Sequence, residues 1–574
     1  MGRLLRFLRG IWLFAKAGVF VIGLLVVAGV VAALILAPWE TRQTELPSSA
    51  VLDIQIVGDL DEKPSSTNFS QFVRGNSMTV ARLVRVLDRA ARDDRITGLD
   101  MDLSLAGLGL TDVEALLPAI AAFRAQGKQT RIFAESYDLA RYRLASGFDE
   151  IWISPSGEFA VTGVALEMPY AGELVDRLGI KPALEQRKDF KTAADVLKRR
   201  EMAPHVRVAF AELVQDIHRS ALNDIAQGRN LSLLEVQTGL ETALLNPDAA
   251  LQNGLLDRAA YATAFHDRTG RSTVDFASYL PELRDPIDAN APTIALITAS
   301  GQISSGRGGG FGSNVITDGA LVADLKAAAE HPQIDAILLR IDSPGGGYGA
   351  SDAIRAAMAD IDKPIVASMS AVAGSGGYMI ALGADAIVAH PSTITGSIGV
   401  ISGKIVVDDL LEEYGVRFEI IRSERNAAIF SPFADFTRDQ QVRLSRRVDA
   451  IYDAFTGLVV DARKLPIEQV EAAAQGRVWT GSQAFGLKLV DATGGFETAL
   501  DILRQRLGVA ADRELHVTEF PGGTAQDRFL EVIENGFVGM NAAMRGQEIS
   551  VDSMRDHLAA EAGILLLTPD LTLR

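Results

Sequence analysis

The chain contains an internal repeat, which constrains its fold more than any other feature of the sequence. When the 574-residue sequence is shifted on itself by 236 positions, eleven identities without a gap fall within the 39 residues from Tyr142 to Ile180. The matched pairs run from Tyr142 and Tyr378 to Gly179 and Gly415. This is several times the number that chance would give at this composition. The sequence therefore predicts two copies of one domain.

The hydrophobic pattern indicates the fold class of each copy. Strand-like apolar segments alternate with helical patterns from Val51 to about residue 285, and the alternation starts again at Thr293. Such alternation is typical of βαβ units with mainly parallel sheets. The predicted fold class is therefore α/β, with a first repeat at residues 46–285 and a second at 290–525. A C-terminal extension at 526–574 has an apolar end, which fits contact with a neighbouring subunit as well as with a membrane surface.

The N-terminal region has the features of a membrane anchor. Residues 17–37 carry no charge, and at about 1.5 Å per residue they could cross a hydrocarbon core of about 30 Å. The basic residues Arg3, Arg6, Arg9 and Lys16 precede this run. The positive-inside rule then predicts a cytoplasmic tail and a transmembrane helix within residues 1–45, with the remaining chain outside the cytoplasm. A cleavable signal peptide is the alternative, but Ile35 and Pro38 interrupt the small-residue cleavage pattern.

Charge and cysteine content exclude several classes of function. The net charge of −17 argues against nucleic acid as a partner and against binding an anionic membrane by charge alone. The chain has no cysteine, which removes disulfides, thiolate metal sites and a cysteine nucleophile. We expect neither a metal nor a cofactor.

Ser375 is the candidate nucleophile because it lies in a glycine-rich turn, Gly374-Ser-Gly-Gly-Tyr378, between a strand-like segment and a helical pattern. Glycine there lets a substrate carbonyl approach main-chain N–H groups that could stabilise an oxyanion. A second glycine cluster, residues 345–347, follows the strand-like segment 336–341 and could supply the other half of an oxyanion hole. Either cluster alone is more often a simple tight turn.

The two copies differ at the positions that matter for catalysis. In the repeat register Ser375 matches Leu139, and Lys191 matches Ala427, so each half keeps one part of a possible pair. A lysine can act as the general base when burial lowers its pKa towards neutrality, although a lysine in this basic segment is as often a solvated surface charge. His390 is the alternative base, but a His-Pro pair at a strand end favours a structural turn.

Ser397, in the segment Thr395-Gly-Ser-Ile-Gly399, could supply a hydroxyl that orients a neutral lysine. The alternative is a simple turn serine.

Four motifs together identify a resemblance to a known family. They are Ser-Pro-Gly-Gly at 343–346, Gly-Ser-Gly-Gly-Tyr at 374–378, Pro-Ser-Thr-Ile-Thr-Gly-Ser-Ile-Gly-Val at 391–400 and Gly-Arg-Val-Trp-Thr-Gly at 476–481. With two tandem repeats behind one anchor, the chain resembles the long form of bacterial signal peptide peptidase, also called protease IV. The separation of lysine and serine between the halves is typical of the long form, whereas the short form carries both in one domain.

The resemblance implies a fold similar to that of Clp protease and crotonase, and a Ser/Lys dyad. Its implied site residues are Ser375 as nucleophile, Lys191 as general base, Ser397 as the hydroxyl that orients the lysine, and the N–H groups of Gly346 and Gly376 as oxyanion donors. One departure is Asp342, where family members often have asparagine.

The resulting prediction is a membrane-anchored serine endopeptidase that degrades cleaved signal peptides and other apolar peptides. By resemblance it would lie in the bacterial inner membrane with its catalytic domains on the periplasmic side, as a homo-oligomeric ring of four subunits. A crotonase-like acyl-CoA enzyme using the turn at 345–347 is one alternative, and a catalytically inactive membrane scaffold is another. The sequence leaves open whether Lys191 meets Ser375 of its own chain or of a neighbour.

Overall fold

The computed structural model of the chain describes residues 46–63, 77–267, 269–284, 286, 288–306, 315–521, 565–567 and 572–573. From Ser49 onward the chain forms one compact unit. The predicted transmembrane segment at residues 17–37 lies outside the described residues. Within the described ranges, no helix is both long enough and apolar enough to cross a membrane.

The first half alternates strands and helices. Its strands are β1 (Ala50–Asp59), β2 (Ile96–Gly107), β3 (Gln129–Ala134), β4 (Glu150–Ile153), β5 (Leu166–Glu167), β6 (Lys181–Arg187), β7 (Arg258–Ala259) and β8 (Thr273–Asp275). Its α-helices are α1 (Val80–Arg92), α2 (Leu110–Ala125), α3 (Leu139–Ala145), α4 (Gly172–Arg177), α5 (Asp195–Lys198), α6 (Pro204–Arg229), α7 (Leu233–Ala243), α8 (Pro247–Gln252), α9 (Ala262–Phe265) and α10 (Phe276–Tyr279). Short 3₁₀ helices span Thr192–Ala194 and Leu280–Leu283.

The second half repeats the alternation. Its strands are β9 (Thr293–Ser300), β10 (Gln302–Ser304), β11 (Val315–Thr317), β12 (Ala336–Ser343), β13 (Gly345–Gly347), β14 (Ile365–Gly374), β15 (Ala386–Ala389), β16 (Ile394–Gly396), β17 (Val400–Val406), β18 (Val478–Thr480), β19 (Ala492–Thr493) and β20 (His516–Glu519), followed by β21 (Leu565–Leu567) and β22 (Thr572–Leu573). Its helices are α11 (Asp318–Glu330), α12 (Tyr348–Ala359), α13 (Gly376–Ala381), α14 (Asp408–Glu413), α15 (Arg438–Arg463), α16 (Ile467–Ala473), α17 (Gly481–Gly486) and α18 (Phe496–Leu507).

The two halves have the same sheet topology. The first sheet has the order β7-β4-β3-β2-β1-β8, and the second contains β19-β15-β14-β12-β9-β20, with parallel pairing throughout both series. The long helices α6 and α15 both have 26 residues and both end at a residue with left-handed backbone, Asn230 and Lys464. The prediction of two α/β copies is therefore confirmed.

Apolar sequence segments explain the core of the second half. Strand β12 is almost entirely buried, as expected for a central parallel strand covered on both faces. Helix α15 begins with a capping box between Thr437 and Gln440. It buries one face, made of Leu444, Val448, Ile451, Tyr452, Phe455 and Val459, whose spacing of three to four residues is that of a helix packed on a sheet.

One strand of the first half crosses to the second half. Strand β6 pairs antiparallel with β17, in a register that runs from Val400 opposite Arg187 to Val406 opposite Lys181. A second junction lies at Glu114 of α2, whose carboxylate accepts hydrogen bonds from the Ser392 N–H at 3.0 Å and the Ser392 hydroxyl at 2.6 Å. These junctions carry the segment after β6, including Lys191, to the strand ends of the second sheet.

Candidate active site

Ser375 lies between a strand and a helix, as the sequence predicted. Strand β14 ends at Gly374 and helix α13 begins at Gly376. Ser375 itself has φ 56° and ψ −111°, a backbone conformation that is uncommon for a residue with a side chain and that persists only where its surroundings impose it. The Ser375 N–H donates to the Gly396 carbonyl at 2.8 Å. This bond to β16 fixes the turn that presents the hydroxyl.

Lys191 is fully buried beside this serine. Its Nζ lies 2.7 Å from Ser375 Oγ, 2.8 Å from the Ser397 carbonyl oxygen and 2.9 Å from Ser397 Oγ. Burial lowers the pKa of the Lys191 ammonium well below its ordinary value, because the charged form loses its hydration. All three atoms belong to one chain, so a neighbouring subunit is not needed to bring the lysine to the serine.

The contacts of Lys191 match the valences of a neutral amine. An uncharged amine has two N–H donors and one lone pair. The two oxygens of Ser397 can accept the two N–H bonds, which leaves the lone pair for the proton of the Ser375 hydroxyl. This arrangement can transfer the serine proton to the amine, as a nucleophile and its general base require.

A loop of the second half holds Lys191 in place. The Gln475 carbonyl accepts hydrogen bonds from the N–H groups of Lys188 at 3.3 Å and Phe190 at 3.1 Å. A Cβ atom on Gly476 would come within 2.5 Å of the Lys191 Cβ, so only glycine fits against the lysine there. The Arg477 carbonyl accepts from the Ser397 N–H at 2.8 Å. The loop 475–477 therefore positions both Lys191 and Ser397.

Sequence reasoning did not assign this positioning role to the loop 475–477. The signal was present, because the motif Gly-Arg-Val-Trp-Thr-Gly begins at Gly476, but the motif served only as a mark of family resemblance. Its partners are the segments around Lys191 and Ser397, and neither contact is visible in the local sequence.

The two glycines predicted as oxyanion donors lie next to each other. A Cβ atom on Gly376 would be 3.1 Å from the Gly346 nitrogen, which places the second glycine cluster against the serine turn. Gly346 has φ 155°, and a Cβ on it would meet the Ile303 carbonyl oxygen. The backbone of β13 can therefore come this close to its neighbours only without a side chain.

Asp342 links the two strands that carry the glycine cluster and the serine. Its Oδ1 accepts a hydrogen bond from the Val372 N–H at 3.1 Å, between the end of β12 and β14. Burial, reinforced by the nearby Glu62 carboxylate, raises the pKa of Asp342 to about 6. The carboxylate thus has a structural contact of its own at the position where the family often has asparagine.

The alternative base, His390, is directed to a different partner. It is fully buried, and its Nε2 lies 3.3 Å from Nη1 of Arg340. Burial and the charges of Arg340 and Arg143 lower its pKa well below the ordinary range. Within the described ranges, no group of three or more His, Asp and Glu side chains is placed to hold a metal ion.

The two α/β copies bring the hydroxyl of Ser375 next to the buried amine of Lys191. Such a pair of nucleophile and base is typical of a serine peptidase. The comparison with protein families agrees, because the model of peptidase family S49 matches residues 122–270 and 357–510, together more than half of the chain. The chain belongs to peptidase family S49, in its long two-repeat form, and is a serine protease.

Two relatives extend over most of the chain, and a third matches about a third of it. Protease 4 of Salmonella typhi is 30% identical over 497 residues, covering 80% of this chain and 78% of that protein. The chloroplastic serine protease SPPA of Arabidopsis thaliana is 26% identical over 528 residues, covering 89% and 76%. A putative signal peptide peptidase SppA of Enterococcus faecium is 35% identical over 187 residues, covering 32% and 54%.

Among solved structures, a ClpP1 mutant from Listeria monocytogenes matches 36% of this chain and 94% of that chain, at 14% identity and a TM-score of 0.24. A TM-score this low carries no argument about the fold. The relation to Clp protease and crotonase therefore stays a prediction.

Proposed function

We propose that the chain is a membrane-anchored serine endopeptidase whose catalytic groups are Ser375 and Lys191. The observation that carries the proposal is the 2.7 Å separation between the Lys191 Nζ and the Ser375 Oγ in a fully buried site. Lysine can replace histidine as the base only where its amine is neutral, and burial supplies that condition.

The proposed reaction follows from this contact. Neutral Lys191 takes the proton of the Ser375 hydroxyl while the Oγ attacks a peptide carbonyl. The N–H groups of Gly346 and Gly376 donate to the oxyanion of the tetrahedral intermediate. The Lys191 ammonium then gives its proton to the leaving amine, and an ester of Ser375 remains. Water attacks this ester with Lys191 again as the base, which releases the acid and restores the serine.

Ser397 is proposed to keep Lys191 in the reactive orientation. Its carbonyl oxygen and its hydroxyl lie 2.8 and 2.9 Å from the Lys191 Nζ, so they hold the two N–H bonds of the neutral amine. A free lysine side chain would otherwise sample many rotamers, and fixing it in advance lowers the entropic cost of proton transfer.

The proposed substrates are apolar peptides, chiefly remnants of cleaved signal peptides. Three observations support this class: the uncharged segment at residues 17–37, the name of the Enterococcus faecium relative, and a buried site that a folded protein surface could not reach. We propose the bacterial inner membrane as the location, with the catalytic halves on the periplasmic side. A reporter fused at the C-terminus, active only outside the cytoplasm, tests this orientation.

We also propose a homo-oligomer, with four subunits by family resemblance. The first half contacts the second half through β6 on one side and β17 on the other. Because β6 and β17 belong to two different surfaces, a contact of this kind repeated between chains would be heterologous and could close into a ring. The second-half segment matching β6 is residues 417–423, where Ile421 is 98% exposed. Light scattering on the chain lacking residues 1–45 tests the assembly, and a fully active monomer would exclude the ring as a requirement for catalysis.

Labelling with a serine-reactive fluorophosphonate or β-lactone probe tests the catalytic assignment. The wild-type chain should be labelled, and Ser375→Ala should not. A crotonase-like acyl-CoA enzyme would not depend on this serine, and an inactive scaffold would not react at all. Labelling that persists in Ser375→Ala would show that another residue is the nucleophile.

A further inference from the structure

One face of helix α15 contacts the segment 187–191, which ends at the candidate base. Ser445, Asp449 and Tyr452 follow one another on this helix at intervals of four and three residues, a spacing that places them on the same side of a helix. The Arg187 guanidinium donates to Asp449 Oδ1 at 2.6 Å and to Ser445 Oγ at 2.7 Å. The first two side chains of this face therefore hold the start of the segment.

Tyr452, the third side chain of this face, contacts the backbone of Gln475 through its hydroxyl. Its ring is buried, and the hydroxyl accepts a hydrogen bond from the Gln475 N–H at 3.2 Å and donates one to Glu471 Oε2 at 3.0 Å. A phenol has a single O–H donor, so donation to Glu471 leaves the lone pairs of the hydroxyl for Gln475. Lys188 Nζ lies 4.7 Å from the centre of the Tyr452 ring.

Gln475 connects this contact to the candidate base. Its backbone has φ 57°, a conformation that is uncommon for a residue with a side chain and that persists only where its surroundings impose it. Its carbonyl accepts from the N–H groups of Lys188 and Phe190, and the Lys191 N–H donates to the Lys188 carbonyl at 3.1 Å. Hydrogen bonds on both sides of Gln475 therefore join Tyr452 to the backbone turn that ends at Lys191.

The position of this backbone decides whether the Lys191 amine is aligned and dry. The amine lies at hydrogen-bond distance from Ser375 Oγ and from two oxygens of Ser397, and burial lowers its pKa. If the loop moved away from the lysine, water would reach the amine and its pKa would rise. The amine would also lose its alignment with Ser375, so less of the enzyme would hold a competent base at a given pH.

We propose that Tyr452 is a positioning residue of the candidate base: its hydroxyl fixes Gln475, and through Gln475 the backbone that places the Lys191 amine beside Ser375. This inference rests on the proposed function of the Ser375 and Lys191 pair. In this role Tyr452 acts on the reaction only through Lys191. The second half thus supplies the nucleophile and also, from α15, a support for the base that the first half carries.

Tyr452→Phe tests this role, because it keeps the ring and removes only the hydroxyl. With a fluorogenic apolar peptide, kcat should fall about tenfold, the loss expected for one hydrogen bond that aligns the base, and KM should stay within about twofold. The midpoint of the kcat-pH profile should move to higher pH, because a hydrated amine has a higher pKa than a buried one. A lower kcat with the midpoint unchanged would show a merely structural role and overturns the proposal.

The matched control is Tyr142→Phe. Tyr142, the counterpart of Tyr378 in the repeat, is also fully buried, and its hydroxyl donates to the Leu255 carbonyl at 2.8 Å. This bond involves neither the loop 475–477 nor the segment that carries the base, so the control should keep the wild-type kcat and pH midpoint. If both tyrosine variants lose kcat equally, the loss belongs to any buried hydroxyl and the proposal is overturned.

The residue that accepts the Tyr452 proton gives a second comparison at a partly exposed side chain. Glu471→Ala removes the acceptor and lets the hydroxyl turn away from the Gln475 N–H, so kcat and the pH midpoint should change in the same direction as in Tyr452→Phe. Glu471→Gln keeps an acceptor oxygen and should restore both values. An equal loss in the two Glu471 variants, or no loss in either, overturns the proposal.

A double variant tests whether Tyr452 acts through the lysine. In the Lys191→Ala background, Tyr452→Phe should not slow fluorophosphonate labelling of Ser375 any further, because both changes remove the action of one group. A further loss in the double variant overturns the proposal. Full activity in Lys191→Ala alone would instead refute the proposed function, since the lysine would not be the base.

Hydrogen exchange tests the contact independently of activity. The amides of residues 188–190 include two that donate to the Gln475 carbonyl, so exchange in this segment should be faster in Tyr452→Phe than in the wild-type chain. Tyr142→Phe should leave this exchange unchanged. Unchanged exchange in Tyr452→Phe overturns the proposal whatever the activity, because the hydroxyl would not be fixing the loop.

Discussion

Replacing Gly476 with alanine should disable the enzyme by displacing Lys191. Gly476 has φ +81°, and a Cβ there would lie 2.5 Å from the Lys191 Cβ, 2.6 Å from its nitrogen and 2.7 Å from its Cα. Ordinary contact begins at 3.4 Å, so the lysine and the loop must separate by close to an ångström. Because two of these atoms are backbone, a change of side-chain rotamer cannot relieve the clash.

The size of the effect follows from the geometry of the dyad. A misplacement of about 1 Å costs on the order of 10²-fold in rate, and the Lys191 Nζ is already at hydrogen-bond distance from Ser375 Oγ. The positive φ adds about 1–2 kcal/mol of strain for a residue with a Cβ. We therefore expect Gly476→Ala to lower kcat about 100-fold and to destabilise the fold moderately.

The matched control is Gly415→Ala. Gly415 has φ +78°, but a Cβ there would meet nothing within 4 Å, so this variant carries the same backbone strain without the clash. Peptide hydrolysis and thermal unfolding should be measured for both. Gly415→Ala should lose stability and keep its activity. If Gly476→Ala stays within about twofold of Gly415→Ala in kcat, the loop does not position the lysine and this reasoning is refuted.

Three other predictions follow from the burial of Lys191 and from its position beside Ser375 of the same chain. The pKa of Lys191 is lowered by burial and the base must be neutral, so kcat should rise with pH through one ionisation, and His390→Ala should leave that ionisation in place. The lysine of the unfolded chain binds a proton more readily than the buried amine does, so Lys191→Met should raise the free energy of unfolding most at low pH and least near the ordinary lysine pKa of about 10.4. Urea titrations at several pH values measure this gain. An equal gain at all pH values would contradict a lowered pKa of Lys191. Co-assembly of Ser375→Ala chains with Lys191→Ala chains should restore no activity, because the dyad forms within one chain; recovered hydrolysis would mean that it forms between chains.

Local patterns were enough to predict the elements nearest the serine. The glycines around Ser375 marked the strand-to-helix turn, and the repeat register singled out Lys191 because the matching Ala427 cannot act as a base. The structure places both residues together in one chain, which the sequence had left open. Sequence alone did not show the positive φ of Ser375, which accompanies a hydrogen bond from its N–H to the Gly396 carbonyl.

The features that the sequence did not reveal depend on contacts between distant segments. The first-half strand β6 pairs with the second-half strand β17, a pairing that the repeat pattern did not predict. The loop at Gly476 contacts Lys191 from far along the chain. Pairings of this kind depend on tertiary packing more than on local propensity, so periodicity and turn signals do not report them.

The most direct test of the central claim compares three variants in one peptide hydrolysis assay. Ser375→Ala, Lys191→Ala and the double variant should each lose activity to a similar residual level, because a nucleophile and its base act as a unit. Circular dichroism should show that all three remain folded. The account predicts that Lys191→Ala falls as far as Ser375→Ala. If Lys191→Ala instead kept more than about a tenth of the wild-type kcat, the loss would be only about 1.4 kcal/mol, too small for a missing general base, and the dyad would be contradicted.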